Sequence, residues 1–85
     1  MHEMGIASSI LEAVRKEMIR YPGYRPAKVD VRIGAFAGVD PESLRFCFEV
    51  MVQDTPPPRL ELAIESAAGD ELDLGSIEIE EEAIA

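Results

Sequence analysis

The chain has 85 residues, 47% of them hydrophobic and 6% aromatic, which is enough for one small domain with one core. Its single cysteine, Cys47, excludes an internal disulfide and a structural zinc site built on paired cysteines. No apolar run has the length of a membrane span, and charged residues stand where a signal peptide would need an apolar stretch. We therefore expect a single domain over residues 1–85, in the cytoplasm and with no membrane association.

The formal net charge of −9 is concentrated in the last third of the chain. Residues 1–53 carry seven acidic and seven basic residues, whereas residues 54–85 carry ten acidic residues and only Arg59 as a base. Because so dense an acidic segment repels phosphate, we expect no nucleic-acid partner. The usual interpretation of such a segment is a solvated sheet face with a charged tail. The alternative is a docking surface for a basic partner.

The segment from Met4 to Arg20 has the apolar period of an amphipathic helix. Two prolines and a glycine within residues 21–26 end this helix and favour a turn. A strand follows, in which Val29, Val31 and Ile33 alternate with charged residues, so one of its faces is buried and the other is solvated. The apolar stripe of the helix consists of Ile6, Ile10, Leu11, Val14 and Met18.

A loop over residues 34–38 leads to a second helix that runs to about Gln53. Its start has three favourable features. Asp40 can accept hydrogen bonds from the free amides of the first turn, Pro41 lacks an N–H where none is needed, and Glu42 complements the helix dipole. The inner face predicted for this helix consists of Leu44, Cys47, Phe48 and Met51, widened by Phe46 and Val50.

Cys47 lies in this apolar stripe, which favours a packed small hydrophobe over a nucleophile. The only histidine that could activate its thiol is His2, at the far end of the sequence. A nucleophile, a base and an orienting group cannot be assembled from these two residues, so we expect that the protein is not an enzyme. The proline-rich residues 54–58 then end the second helix and stiffen the approach to the next strand.

Two strands complete the chain, and residues 66–70 between them have a length that suits a hairpin. The apolar residues of the third strand fall into two pairs of opposite parity, so a bulge at Gly75 and Ser76 is needed to keep all four on the core face. The residues from Glu80 onward should fray. The apolar residues are Leu60, Leu62 and Ile64 in the second strand, and Leu72, Leu74, Ile77 and Ile79 in the third.

The predicted order is therefore helix, strand, helix, strand, strand. This order indicates an α+β fold, a two-layer sandwich with two helices on one face of a three-stranded mixed sheet. The first two strands flank a helix, so they should be parallel with a right-handed crossover, and the third should return antiparallel to the second. The sequence does not decide whether the third strand lies at an edge or between the other two, although its length mildly favours the centre.

The first three residues, Met1, His2 and Glu3, include the only histidine and place it beside the terminal amine. The imidazole, the amine and a backbone nitrogen can bind one metal ion, and Glu3 lies within reach of a fourth position. Such a nitrogen-rich square plane suits Ni(II) or Cu(II) rather than zinc, magnesium or calcium. A start methionine followed by a histidine also occurs by chance at frayed termini.

Several further stretches, together with these three residues, resemble the HypA family, the nickel-insertion accessory proteins of NiFe hydrogenase maturation. The resemblance is collinear and covers nearly the whole chain. It implies a nickel metallochaperone that binds Ni(II) through Met1, His2 and Glu3, with Asp40 close to the nickel. It also implies transfer with the GTPase HypB to the hydrogenase large subunit. The matching stretches are residues 1–3, 32–34, 38–46, 48–49 and 76–80.

One departure from the family concerns zinc. The family carries a zinc domain with two Cys-x-x-Cys pairs between its second and last strands, and here residues 66–69 hold that place. We therefore expect no bound zinc, either in a naturally shortened relative or in a chain from which the zinc domain was excised. Two functions follow: delivery of Ni(II), or a shortened interaction or regulatory domain that keeps the fold but no longer delivers metal.

Overall fold

In a computed structural model of the protein, residues 2–54 and 59–82 are described, and they form two helices and a three-stranded sheet. This architecture and the element order confirm the predicted α+β fold. The proline-rich segment predicted to stiffen the second connection lies mostly within 55–58, outside the described residues. The elements are α1 (Glu3–Met18), β1 (Tyr24–Gly34), α2 (Pro41–Asp54), β2 (Glu61–Ala67) and β3 (Leu72–Glu81).

Helix α1 presents its predicted apolar stripe to the core. Leu11 and Val14 are buried, and Ile6 and Met18 are partly buried against the core. Ala7, which the stripe did not include, has no exposed surface and belongs to the core cluster. The core side of α1 therefore includes a small residue as well as large ones.

The core lies where α1 and α2 cover β1. Helix α2 contributes Leu44 and Phe48, which are one helical turn apart and fully buried. Cys47 is half-buried and packs against the same cluster, in agreement with a packing role. Phe46 is 66% exposed, so the prediction that it widens the inner face is wrong: it lies two residues before Phe48, on another side of the helix. The buried residues are Ala7, Ile10, Leu11, Val14, Val29, Val31, Ile33, Leu44, Phe48 and Leu60.

The sheet has the order β2-β1-β3, with β1 parallel to β2 and antiparallel to β3. The predicted antiparallel pairing of β2 and β3 as a hairpin is therefore wrong. The strand order, which the sequence left open, has β3 at an edge, against the mild preference that its length gave. Strand β1 is the longest strand, with 11 residues, and its alternating core residues are buried beneath both helices. The strand with the most buried face belongs at the centre of the sheet, because removing its apolar side chains from water stabilises the fold most.

The connection between β2 and β3 crosses the end of β1 and is tied to it by backbone hydrogen bonds. The amide of Gly34 donates to the carbonyl of Glu71 at 2.8 Å, and the amide of Phe36 donates to that of Gly69 at 2.9 Å. A Cβ on Gly34 would collide with the carbonyl of Gly69 and lie 2.7 Å from a carboxylate oxygen of Glu71. This position therefore has no room for a side chain.

Strand β3 contains the predicted bulge, since Asp30 pairs with Ser76 and the next residue, Val31, pairs with Leu74. Gly75 is thus the additional residue. A second register shift leaves Ala27 of β1 between two paired residues. The bulge keeps the apolar residues of β3 on the helix side, although this strand stays more exposed than β1.

The prediction that the chain frays from Glu80 onward is wrong for residues 80–82. Glu80 accepts a 2.7 Å hydrogen bond from the guanidinium of Arg25, and Glu81 pairs with Tyr24. The amide of Glu82 then donates to the carbonyl of Gly23 at 2.9 Å. Tyr24 and Arg25 are the first residues of β1, and Gly23 directly precedes it, in a segment that the sequence assigned to a turn. Residues 83–85 lie outside the described part of the chain.

The solvent face of the sheet carries alternating charges across the strands. Lys28 of β1 stands in register with Glu61 of β2 and Glu78 of β3, and its ammonium lies 3.7 Å from a carboxylate oxygen of Glu78. Arg32 stands in the same way between Glu65 and an aspartate of β3. Such opposite-charge neighbours stabilise a sheet modestly. Much of the acidic last third thus forms a solvated sheet face, as the sequence indicated.

Candidate metal centre

His2 is the residue immediately before helix α1, at the N-cap position, with φ −88° and ψ 104°. Its carbonyl accepts the first helical hydrogen bond, from the amide of Ile6 at 3.1 Å. Its side chain is exposed and makes no capping hydrogen bond. The helix therefore fixes the backbone of His2 and leaves the imidazole accessible to a ligand. Met1, which precedes it, lies outside the described residues.

Glu3 is the first residue of α1, and its carboxylate joins the two helix starts. One carboxylate oxygen accepts a 3.1 Å hydrogen bond from the backbone amide of Asp40. This hydrogen bond, and a second from the amide of Glu3 itself, lower the pKa of the Glu3 carboxyl below its usual value of 4.5. A hydrogen bond to the charged form always acts in this direction. The carboxylate of Glu3 is therefore ionised at neutral pH and engaged with α2.

Asp40 caps helix α2 with both carboxylate oxygens. One accepts from the amide of Glu42 and the other from the hydroxyl of Ser43, each at 3.1 Å. The predicted helix cap is confirmed. The structure also brings Asp40 beside Glu3, so two of the residues that the sequence pointed to are joined through a side chain and a backbone amide.

No three histidine, cysteine, aspartate or glutamate side chains among residues 2–54 and 59–82 come together closely enough to hold a metal ion. A metal at this terminus would need backbone nitrogens as ligands. The first helical hydrogen bond of α1 is donated by Ile6, so the amides of His2 and Glu3 lie before the bonded part of the helix. They can coordinate a metal without breaking a helical hydrogen bond.

The resemblance implied that Asp40 lies close to the terminal residues, but the residues themselves gave no sign of the hydrogen bond between Glu3 and Asp40. The two residues are separated by 37 positions, and neither periodicity nor spacing connects them. The available signals were an acidic residue in the first turn of one helix and an Asp-Pro start in the other. Each signal describes one helix end, so only the tertiary arrangement shows that the two ends meet.

The described helices include none that is long and apolar enough to cross a membrane.

Comparison with known proteins identifies relatives over most of the chain. Residues 1–79 match the family described as "Hydrogenase/urease nickel incorporation, metallochaperone, hypA". A hydrogenase maturation factor HypA from Desulfatibacillum aliphaticivorans is 44% identical over 66 residues, covering 76% of this chain and 51% of the relative. One from Pelodictyon phaeoclathratiforme is 42% identical over 69 residues, covering 81% of this chain and 59% of the relative. The chain therefore spans little more than half of each of these relatives.

The fold also resembles a solved structure. The solution structure of the Ni metallochaperone HypA from Helicobacter pylori matches with a TM-score of 0.64 and 14% sequence identity. The match covers 98% of this chain and 95% of the other. At this identity the similarity supports the fold, which is the arrangement of two helices and three strands described above.

Proposed function

The chain belongs to the HypA family, and we propose that it is a nickel metallochaperone that binds Ni(II) at its amino terminus and delivers it during NiFe hydrogenase maturation. Family membership supports nickel as the metal, because the description of the family names hydrogenase and urease nickel incorporation. The observation that carries the site is the position of His2: an exposed imidazole fixed at the N-cap of α1, beside amides that make no helical hydrogen bond.

The proposed ligands are the terminal amine of Met1, the imidazole of His2 and backbone nitrogens of His2 and Glu3. These nitrogens suit the square plane that Ni(II) favours. Backbone amides bind such a metal after losing a proton, and the start of α1 favours the resulting negative charge because of the helix dipole. The carboxylate of Glu3 holds the site against α2 through the amide of Asp40. In this proposal Asp40 supports the site through its backbone amide and does not bind the metal itself.

Proton release accompanies the binding that we propose. The amine, the imidazole and each coordinating amide must all be free of a competing proton before they bind. One Ni(II) ion therefore displaces several protons, and affinity falls steeply on acidification. An affinity that stays flat between pH 8 and pH 6 would contradict amine and amide ligands.

The direct test is a titration of untagged protein with Ni(II), followed by the d–d absorption band of a square-planar complex. We expect the band for the native chain and its loss in His2→Ala, with the melting temperature of the metal-free protein unchanged. The control is Ser8→Ala, an exposed position of the same helix with no ligand role. Retention of the band in His2→Ala would show that nickel binds elsewhere.

The terminal amine is tested by changing its distance from His2. With one glycine added before Met1, the new terminal amine, two backbone nitrogens and the imidazole can still chelate one Ni(II) ion together. We therefore expect binding to be retained. A blocking tag of several residues removes the amine from reach, and affinity falls by orders of magnitude, because a lone imidazole holds nickel weakly. If the tagged protein binds as tightly as the native chain, the amine is not a ligand.

Delivery is the second half of the proposal. The partners that the family implies are a HypB-like GTPase and the hydrogenase large subunit, and the role is transfer rather than catalysis. We propose residues 1–85 as one nickel-binding domain without zinc, because residues 66–69 offer no thiolates where the family has its zinc domain. Metal analysis of the purified protein should find no stoichiometric zinc. One tightly held zinc per chain would indicate a site shared between chains.

The alternative is a domain of the same fold that interacts with partners but delivers no metal. It is motivated by residues 66–69, which carry no cysteine where the family has its zinc domain. A maturation assay with the metal-loaded native chain distinguishes the two functions. Activation of the hydrogenase in proportion to the nickel supplied supports delivery, whereas nickel that binds but never reaches the enzyme supports the alternative.

A further inference from the structure

The imidazole of His2 has no neighbour that orients it. The side chain is exposed and makes no capping hydrogen bond, and no other group among residues 2–54 and 59–82 forms a hydrogen bond with it. A metal-binding histidine usually donates its second ring nitrogen to a carboxylate or a carbonyl, which fixes the ring. Here the ring can turn to suit any metal ion that the neighbouring backbone nitrogens hold.

The carboxylate of Glu3 is engaged away from such an ion. One of its oxygens accepts the 3.1 Å hydrogen bond from the backbone amide of Asp40, at the start of α2. This hydrogen bond competes with any role of the carboxylate as a ligand, so the ligands left at the terminus are nitrogens. Magnesium, calcium and manganese prefer oxygen ligands, and the site does not suit them.

No thiolate adds to these nitrogens. Cys47 is the only cysteine in the sequence, and it is half-buried against the core on α2. Thiolates favour zinc and Cu(I), whereas nitrogen ligands in a square plane favour Cu(II) and Ni(II). The ligands therefore restrict the metal to Cu(II) and Ni(II), and they include no group that distinguishes one of these ions from the other.

We propose, on the basis of the nickel site proposed above, that Cu(II) binds the same nitrogens at His2 more tightly than Ni(II) and displaces it. At a given set of nitrogen and oxygen ligands, affinity rises from Ni(II) to Cu(II) and falls again at Zn(II), unless the protein imposes a geometry that reverses this order. The described residues impose none. The imidazole has no partner there, and the amides of His2 and Glu3 make no helical hydrogen bond.

One consequence concerns how nickel is distinguished from copper during delivery. A site that holds Cu(II) more tightly does not select nickel by affinity, so the selection falls to the supply of metal or to the protein that receives it. Exchange should also be fast. Because the side chain of His2 is exposed, no part of the fold has to open before one ion replaces the other.

The test is a competition between the two ions on untagged protein. One equivalent of Cu(II) is added to the nickel-loaded protein. We expect most of the d–d band of Ni(II) to disappear, and a Cu(II) electron paramagnetic resonance signal with hyperfine splitting from nitrogen to replace it. The exchange should give Cu(II) an affinity at least about tenfold higher than that of Ni(II). One equivalent of Zn(II) should leave the nickel band in place, because zinc prefers a tetrahedron.

Two variants serve as controls. His2→Ala should lose both the nickel band and the Cu(II) signal with nitrogen splitting. Glu3→Gln should retain the displacement of nickel by Cu(II), because the carboxylate of Glu3 is not among the ligands and glutamine keeps an oxygen acceptor for the amide of Asp40.

Two outcomes would overturn the proposal. Nickel that stays in place after one equivalent of Cu(II) would show that the fold imposes a geometry that favours nickel. Cu(II) binding of equal strength in His2→Ala would show that copper uses other ligands. If the native protein shows no nickel band at all, the proposed function fails instead, and Cu(II) alone then decides: binding that requires His2 supports the preference for Cu(II), and its absence overturns it.

Discussion

Phe48 and His2 represent two regions of this molecule that differ in what surrounds them. Phe48 has no exposed surface and packs in the core between the helices and the sheet, whereas His2 is exposed and is held only through its backbone at the start of α1. The core consists of packed apolar side chains, whereas the terminus, where we propose that nickel binds, has an exposed side chain with little packing. A ligand that must be taken up and passed on needs accessible groups, while the fold that positions them needs buried ones. Substitutions in the two regions should therefore affect different properties.

The largest effect on stability should come from Phe48→Ala. Removing a fully buried phenylalanine loses its transfer free energy and leaves a cavity, so we expect a loss of about 3–5 kcal/mol in the free energy of unfolding, measured with urea. The matched control is Phe46→Ala, 66% exposed on the same helix, which should change it by less than about 0.5 kcal/mol. Similar losses in both variants would contradict the core described here.

The next effect concerns the end of β1. In Gly34→Ala the new methyl group would collide with the carbonyl of Gly69, so we expect a loss of about 1–3 kcal/mol by the same measurement. Gly5→Ala is the control in which the same substitution should have the opposite sign, because no atom lies within 4 Å of the new Cβ and the residue is inside α1. It should stabilise the protein by about 0.5–1 kcal/mol. A neutral Gly34→Ala would show that the connection over β1 can move away.

A smaller effect is expected at the cap of α2. Asp40→Ala removes the acceptors for the amide of Glu42 and the hydroxyl of Ser43, and it should destabilise the protein by about 1 kcal/mol. Asp40→Asn keeps a side-chain acceptor, and it should lower the free energy of unfolding by only a few tenths of a kcal/mol. If Asp40 supports the nickel site only through its backbone, Ni(II) affinity is retained in Asp40→Asn. A large loss of affinity there would make its carboxylate a ligand.

The smallest effect is an acid dependence at the terminus. The hydrogen bond from the Asp40 amide lowers the pKa of the Glu3 carboxyl in the folded protein below the usual 4.5, so its contribution to stability is present above that pH and is lost as the pH falls through the folded pKa. The difference in urea midpoint between the native chain and Glu3→Gln should therefore shrink from pH 7 to pH 3. A difference independent of pH would show that the charge of Glu3 contributes nothing.

The parts of the fold that could be predicted from the sequence are those that depend on neighbouring residues. The stripe of α1, the cap at Asp40 and the bulge at Gly75 were all predicted correctly, because each depends on residues close together in sequence. The exposure of Phe46 was not, since a wide apolar pattern does not show which side of a helix faces the core. The pairing of Glu80 with Arg25 was not predicted either, because a run of glutamates looks like a solvated tail until its partner strand is known.

The sequence by itself determined the element order and the covered face of β1, because periodicity and capping are local properties. It also predicts a metal site at Met1, His2 and Glu3, from their ligand chemistry together with the resemblance to the HypA family. Only the tertiary structure decided that β3 lies at the edge beside β1, and that the Glu3 carboxylate accepts a hydrogen bond from the backbone amide of Asp40. Each of these requires segments far apart in sequence to be brought together. Among the possible pairings, the fold adopts the one that buries the most apolar surface over the whole molecule. No single segment of the sequence contains that information.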